Sequence, residues 1–289
     1  MLEILNGAEF CDKAPAEVVA TLLDRGQYVC SERTMYRILK RFAQLATRYQ
    51  TAPRVYAAPE LLATGPNQVW SWDITKLKGP RKWTYYYLYV LLDIFSRFVV
   101  GWMVAERELG SLARELICAT LLDQGIGPDE LTVHSDRGGP MRSLPVAQLY
   151  ADLGITKSLS RPYCSNDNPY SEATFKTLKY RPGFPERFES LLHAKTVCRE
   201  LFHWYNHEHR HSGIAMLTPA SVHYGLHESI LQQRASVMAD AYRLHPERFV
   251  RGVPTIMALP HEVWINKPNL SSQIVVLSPA VSLSQLRRS

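Results

Sequence analysis

The chain has 289 residues, 46% of them hydrophobic and 21% charged, which is enough apolar material to bury a core without disulfide staples and too much for a disordered polymer. Basic residues outnumber acidic ones 33 to 27, a formal charge of +6 that leans toward polyanions without naming one. Five scattered cysteines with no C-x-x-C pair exclude a disulfide framework and suit a reducing cytoplasm, and neither a secretory signal nor an unbroken apolar run of about 20 residues is expected.

Residues 14–24 place Val18, Val19, Leu22 and Leu23 at helical spacing, and Gly26 ends the turn. Ser31 is then placed to cap a second helix, expected over 31–45, whose apolar stripe is Met35, Ile38, Leu39, Phe42 and Leu45. Two helices joined by a glycine-containing turn form a helix-turn-helix candidate. On the second helix Arg33, Arg37, Lys40 and Arg41 share one face, and between residues 31 and 54 six basic residues, Arg48 and Arg54 included, face a single acid, Glu32. Cations so placed suit DNA phosphates, although a solvated amphipathic face has the same composition.

Prolines 53, 59 and 66 with Gly65 and no apolar period mark a linker. The aromatic, β-rich runs 69–77 and 83–92, separated by the turn KGPRK, predict an antiparallel hairpin, and a third strand is expected over 98–104. Helix 109–123, strand 131–135, helix 145–153, strand 156–159 and helix 169–179 follow in alternation. Three antiparallel strands followed by alternating helices and strands predict an α/β segment, a mixed sheet flanked by helices. Beyond it lie helices over 191–209 and 229–242 and a Pro-rich tail with weak strand signals at 255–256 and 262–265.

Three acids stand out by position. Asp73 lies inside the first strand, where a charge among aromatics is costly unless something binds it. Asp136, in HSDRGG, sits at the carboxyl end of a strand, where open α/β sheets hold ligands. Glu172 lies in the first turn of helix 169–179, after Asn168 and Pro169, where the helix N-terminus favours an ionised carboxylate. Carboxylates without a His or Cys partner suit a hard divalent cation, and two such ions serve phosphoryl transfer. Lys176 and Lys179 rise from the face of the helix that carries Glu172 and are placed to hold a DNA backbone. Taken singly, each acid also reads as a strand-end, turn or helix-end charge.

Together, with thirty-five residues between Asp136 and Glu172 and Lys179 seven beyond, they resemble the transposases of bacterial insertion sequences that share the retroviral-integrase catalytic core. NQVWSWDITKL, YLYVLLDIFSRFVVGW, HSDRGGPM, SRPYCSNDNPYSEATFKTLKYRP and FHWYNHEHRHSGIAMLTPASVHYG carry that resemblance over roughly residues 66–225. It implies a ribonuclease H-like mixed sheet flanked by helices over 67–225, preceded by a helix-turn-helix domain over 1–48 and a linker over 49–66, and followed by a helical and irregular region over 226–289. It further implies a cytoplasmic, nucleoid-associated DNA transposase of the second-reading-frame type. Such a protein binds the terminal inverted repeats of its element and target DNA, and it cleaves and transfers strands by in-line attack. Asp73, Asp136 and Glu172 would be both catalytic and metal-holding, with two Mg²⁺ or Mn²⁺ ions, and Arg33, Arg37, Lys40, Arg41, Lys176 and Lys179 would contact DNA. A homo-multimer on DNA, and fusion or partnership with an upstream-frame helix-turn-helix protein, are implied by the resemblance alone. A non-catalytic end-binding repressor, a domesticated remnant and a ribonuclease H-like nuclease are the alternatives that share these residues. The paired cysteines of the retroviral zinc module are missing. His203, His207, His209 and His211 have the composition of a zinc site but fall in a structural and DNA-facing segment of the resembling family, and Asp93 matches a position expected to be structural.

Overall fold

The computed structural model describes residues 1–11, 13–42, 57–162 and 164–268. The chain divides into two compact units, Met1–Tyr56 and Ala57–Ser289. Leu45, Arg48 and Arg54, residues 49–56 of the expected linker and the end of the tail lie outside the described residues.

In the first unit, α1 (Leu2–Asn6), which the sequence pattern did not announce, joins α2 (Pro15–Asp24) and α3 (Glu32–Arg41). Glu17 accepts a hydrogen bond from the Ala14 amide at 3.2 Å, and the Ser31 hydroxyl accepts from the Thr34 amide at 3.3 Å, so both longer helices have a first-turn acceptor for an orphan N–H. Leu5, Phe10, Val18, Leu22, Met35 and Leu39 close a small core.

The second unit opens on β1 (Leu61–Ala63), inside the stretch expected as linker. Then come β2 (Val69–Lys78), β3 (Tyr85–Asp93), β4 (Val99–Ala105), α4 (Gly110–Gln124), β5 (Thr132–Ser135), α5 (Leu144–Asp152), β6 (Thr156–Leu159) and α6 (Pro169–Lys179). They form a five-stranded sheet of order β4-β3-β2-β5-β6, antiparallel through β2, β3 and β4 and parallel from β2 through β5 to β6. α7 (Leu191–His207), α8 (Pro219–His223) and α9 (His227–Leu244) follow, and β7 (Val263–Ile265) returns to pair antiparallel with β1. The strand signal at 262–265 is thus real, whereas 255–256 is not a strand. Among the described residues, no helix is long and apolar enough to cross a membrane.

Each face of the sheet has its own core. Trp70, Trp72, Tyr89 and Leu91 meet Ile117, Leu121, Val146 and Leu149 of α4 and α5. Leu77, Leu88 and Val90 meet Phe175 and Leu178 of α6 and Cys198, Leu201, Phe202 and Tyr205 of α7. The period of two in β2 therefore sends the tryptophans to one face and Ser71, Asp73 and Leu77 to the face covered by α6. A third cluster, with Ala63, Val69, Ile94, Leu217, Val222, Val263 and Ile265, closes under β1 and β7.

Asp93 is fully buried at the end of β3 and is structural. Its carboxylate accepts from the Asn67 amide at 2.7 Å, the Ser96 amide at 2.7 Å and the Ser96 hydroxyl at 2.6 Å, pinning the β3–β4 turn to the start of β2. Asp93→Ala strands three donors in the interior, so urea denaturation should register a loss of about 3 kcal/mol. A loss below about 1 kcal/mol would show that the turn holds without the carboxylate.

Candidate active site

Asp73, Asp136 and Glu172 line one cleft of about 520 Å³, together with Arg137, Ser160, Arg161, Pro162, Cys164 and Asn168. Asp73 is half-buried in the middle of β2, and its carboxylate accepts from the Ile74 amide at 2.8 Å. Burial first, then the negative charge of Asp136 and to a lesser degree that of Glu172, push its pKa up to about 7, against an opposing pull from the Ile74 amide and from Lys179. Three acids in one electrostatic neighbourhood thus hold a proton that an isolated aspartate would have lost.

Asp136 follows the last residue of β5, and its Oδ1 accepts from the Gly138 amide at 2.8 Å. A Cβ on Gly138 would stand 2.8 Å from the Met141 sulfur and 3.1 Å from Asp136 Oδ1, so the first glycine of HSDRGG permits this tight turn. Under it, buried His134 meets Ser158 Oγ through Nδ1 at 2.9 Å and the Asp167 carbonyl through Nε2 at 2.8 Å. Burial moves this imidazole below its ordinary pKa, which disfavours its charged form.

Glu172 is brought to the cleft by the first turn of α6. Ser71 Oγ donates to Asn168 Oδ1 at 2.5 Å and stands 2.6 Å from Ser171 Oγ, and all three residues are buried. The preceding turn is fixed by Asp167, whose carboxylate accepts from the Arg161 amide at 2.8 Å, from Arg161 Nε and Nη2 at 2.9 Å each, and from Asn266 Nδ2 at 2.9 Å. The Arg161 hydrogen bonds hold the Asp167 carboxyl well below the usual carboxylate range.

Lys179 is exposed, and its ammonium donates to Thr75 Oγ1 at 2.6 Å, in the strand that carries Asp73. It lines a neighbouring hollow with Lys76 and Lys78, whereas exposed Lys176 lines neither. In the first unit Arg33, Arg37, Lys40 and Arg41 are all exposed on α3, and the first three border a hollow of about 570 Å³ with Ser31, Thr34 and Tyr36. Arg137 and Arg161 escaped the sequence reading, their only signal being adjacency to HSD and to the turn before Glu172, whereas Asn168 was expected at the helix start but not as part of the cleft lining. His203 and His207 lie ring against ring at 4.8 Å. Among the described residues, no three His, Cys, Asp or Glu side chains are grouped closely enough to hold a metal ion as they stand.

A sheet of this order, with acids in its central strand, just beyond the adjoining parallel strand and in the helix that covers them, has the ribonuclease H-like fold. Residues 63–165 and 153–219 each match an Integrase core domain family. The two matches together span residues 63–219, so the chain belongs to the Integrase core domain family, and the curated relatives it resembles are insertion-sequence transposases. It is 33% identical over 161 residues to Transposase InsF for insertion sequence IS3A of Escherichia coli strain K12, covering 55% of each chain. It is 29% identical over 195 residues to the transposase for insertion sequence element IS904 of Lactococcus lactis subsp. lactis strain IL1403, covering 67% of this chain and 74% of that one. The chain spans about half the length of the first curated relatives it matches. The HTLV-2 integrase catalytic core domain, solved in complex with magnesium, covers 55% of this chain and 97% of its own at 18% identity and a TM-score of 0.42.

The coupling among the acids is directly measurable. Because the folded state holds the Asp73 proton more tightly than an unfolded chain does, its contribution to stability is present at acidic pH and is lost as pH rises toward 7. In metal-free protein, carboxyl NMR should find Asp73 titrating near 7, and Asp136→Asn should lower that midpoint by removing a like charge. An unchanged midpoint would mean that Asp136 does not act on Asp73.

Proposed function

We propose that this chain is a DNA transposase that binds the ends of its insertion sequence and catalyses metal-dependent strand cleavage and strand transfer. The observation that carries the reading is the convergence of Asp73, Asp136 and Glu172 on one cleft, closely enough for Asp136 and Glu172 to raise the pKa of Asp73. The donor set fits a hard divalent cation. All three groups are carboxylates, and the one soft donor in the lining, Cys164, accepts from Arg161 Nη2 at 3.3 Å. Asp73, Asp136 and Glu172 would hold two Mg²⁺ or Mn²⁺ ions, which would activate the attacking oxygen and steady the leaving one.

The remaining chemistry belongs to the chain. Water in cleavage, and a 3′-hydroxyl in transfer, attacks phosphorus in line; the new P–O bond forms as the old one breaks, and no protein group enters the covalent path. Arg137 and Arg161 bring positive charge to the cleft that receives the phosphodiester, and Lys179 extends it along β2. Arg33, Arg37, Lys40 and Arg41 on α3 would contact the DNA ends, with Lys176 and Lys179 on the backbone near the cleft. Two ends handled together call for more than one copy on DNA, and an upstream-frame helix-turn-helix protein is the proposed accessory to end binding.

Asp136→Asn should retain end binding and lose Mg²⁺-dependent strand transfer to background in a gel assay with labelled ends; full activity would remove Asp136 from the catalytic set. Arg37→Ala should weaken DNA binding and reduce the slope of log K against log salt by about one, as expected for one lost phosphate contact. An unchanged slope would return α3 to a solvated face.

A further inference from the structure

The turn between β2 and β3 holds a charge and an aromatic ring that the catalytic cleft does not use. Residues 76–85 carry Lys76, Lys78, Arg81 and Lys82 and no acid. At their tip Trp83 is 77% exposed, with Lys82 Nζ 5.4 Å from its ring centre. A single exposed apolar residue is ordinary on any protein. Trp83 differs because its backbone has φ 71°, a conformation that bulky side chains rarely adopt, and because the platform beneath it is rigid.

That rigidity has identifiable sources. Gly79 donates to the Thr84 carbonyl at 2.8 Å, and Thr84 Oγ1 donates to the Arg81 carbonyl at 2.7 Å. Arg187 Nη1 donates to the carbonyls of Gly79 and Arg81 at 3.1 and 3.2 Å, while the Phe188 amide donates to the Lys78 carbonyl at 2.8 Å. A Cβ on Gly79 would come within 2.5 Å of Thr84 Oγ1, so the turn closes only around glycine. The indole is thus presented outward on a braced loop.

The hairpin also lies in a useful direction. β5 pairs with β2 only over Val69–Trp72, so from Asp73 onward β2 and β3 run on past the end of β5, the end at which Asp136 stands. Lys179 and Lys76 line the hollow along the way. From Asp73 to the tip is roughly 20 Å at about 3.3 Å per strand residue, a span of several nucleotides.

Resting on the proposed function, we infer that this hairpin is a second DNA contact of the catalytic domain. Its cations follow the backbone of the strand leaving the cleft, and Trp83 stacks on a base several nucleotides from the scissile phosphate. A ring can stack only on a base free of its duplex neighbours, and such bases occur where DNA ends open. The occupant is therefore a single-stranded or frayed end, held by stacking and backbone charge without base-specific readout.

The test uses the full chain and two labelled probes at equal salt, a blunt 30-base-pair duplex and the same duplex with a single-stranded tail of about ten nucleotides. The wild type should prefer the tailed probe by on the order of tenfold, the scale of one aromatic stack. Trp83→Ala should abolish that preference, and Trp83→Phe should keep most of it. A tailed-to-blunt ratio unchanged in Trp83→Ala, or a wild type that binds duplex without preferring the tail, overturns the inference while leaving the transposase reading intact. A wild type and an Asp136→Asn variant that both fail to bind either probe overturn the two together.

Discussion

The catalytic arrangement hangs on a buried polar junction between one strand and the first turn of one helix. Ser71 lies two residues before Asp73, on the same face of β2, and its hydroxyl meets Asn168 and Ser171 from the turn that also carries Glu172. An apolar contact at this place would tolerate sliding, because dispersion has little directional preference. Three buried hydrogen-bonding side chains must find their partners in one geometry. The consequence is that two carboxylates nearly one hundred residues apart are set in register by hydroxyls, before any cation arrives to draw them together.

A second fixture keeps that turn in place. Asp167 spends both oxygens on Arg161 and Asn266, while its carbonyl accepts from His134 in β5. The segment that delivers Glu172 is thereby tied to the strand that delivers Asp136. Arg161 has two duties, since its guanidinium braces the turn and also lines the cleft. Electrostatically, the site opposes its own assembly: three acids converge and raise the pKa of Asp73, and the large cores on both faces of the sheet supply the stability that lets them remain there.

Much of this was legible in the residues because the elements are locally consistent. The boundaries of β6 and α6 follow directly from the sequence pattern, since Asn168 and Pro169 mark a helix start and the apolar period is regular. The hairpin of β2 and β3 is equally plain in its aromatic, β-rich runs. The strand at Leu61–Ala63 was hidden, because three residues carry no periodicity and their partner lies some two hundred residues away. α8 went unread although Thr218 and Pro219 form a helix start, because the helix that Thr218 caps by accepting from the Ser221 amide is a single short turn with no apolar period. Within the site, the acids were legible as charges in unusual positions and Asn168 as a helix start, whereas Arg137, Arg161 and the contact of Asn168 with Ser71 enter only through the folding of distant segments around the cleft. Ser71 had no signal at all, since a serine in a strand announces nothing until its partners are known.

The pairing of β1 with β7 gives the second unit an unusual closure. Leu61 faces Ile265 across a ladder whose members bracket the whole five-stranded sheet in sequence. The loop so closed is among the longest this chain can make, and such contacts form late because the entropy of bringing the ends together is lost before any burial repays it. During synthesis the third core must therefore wait for residue 265 to emerge, although Ala63 and Val69 were made long before. The same adjacency means that a short peptide joining these two strands, with new termini opened at a surface turn, would preserve every layer of the domain: its architecture is that of a ring cut at one point, and the place of the cut is not dictated by the packing.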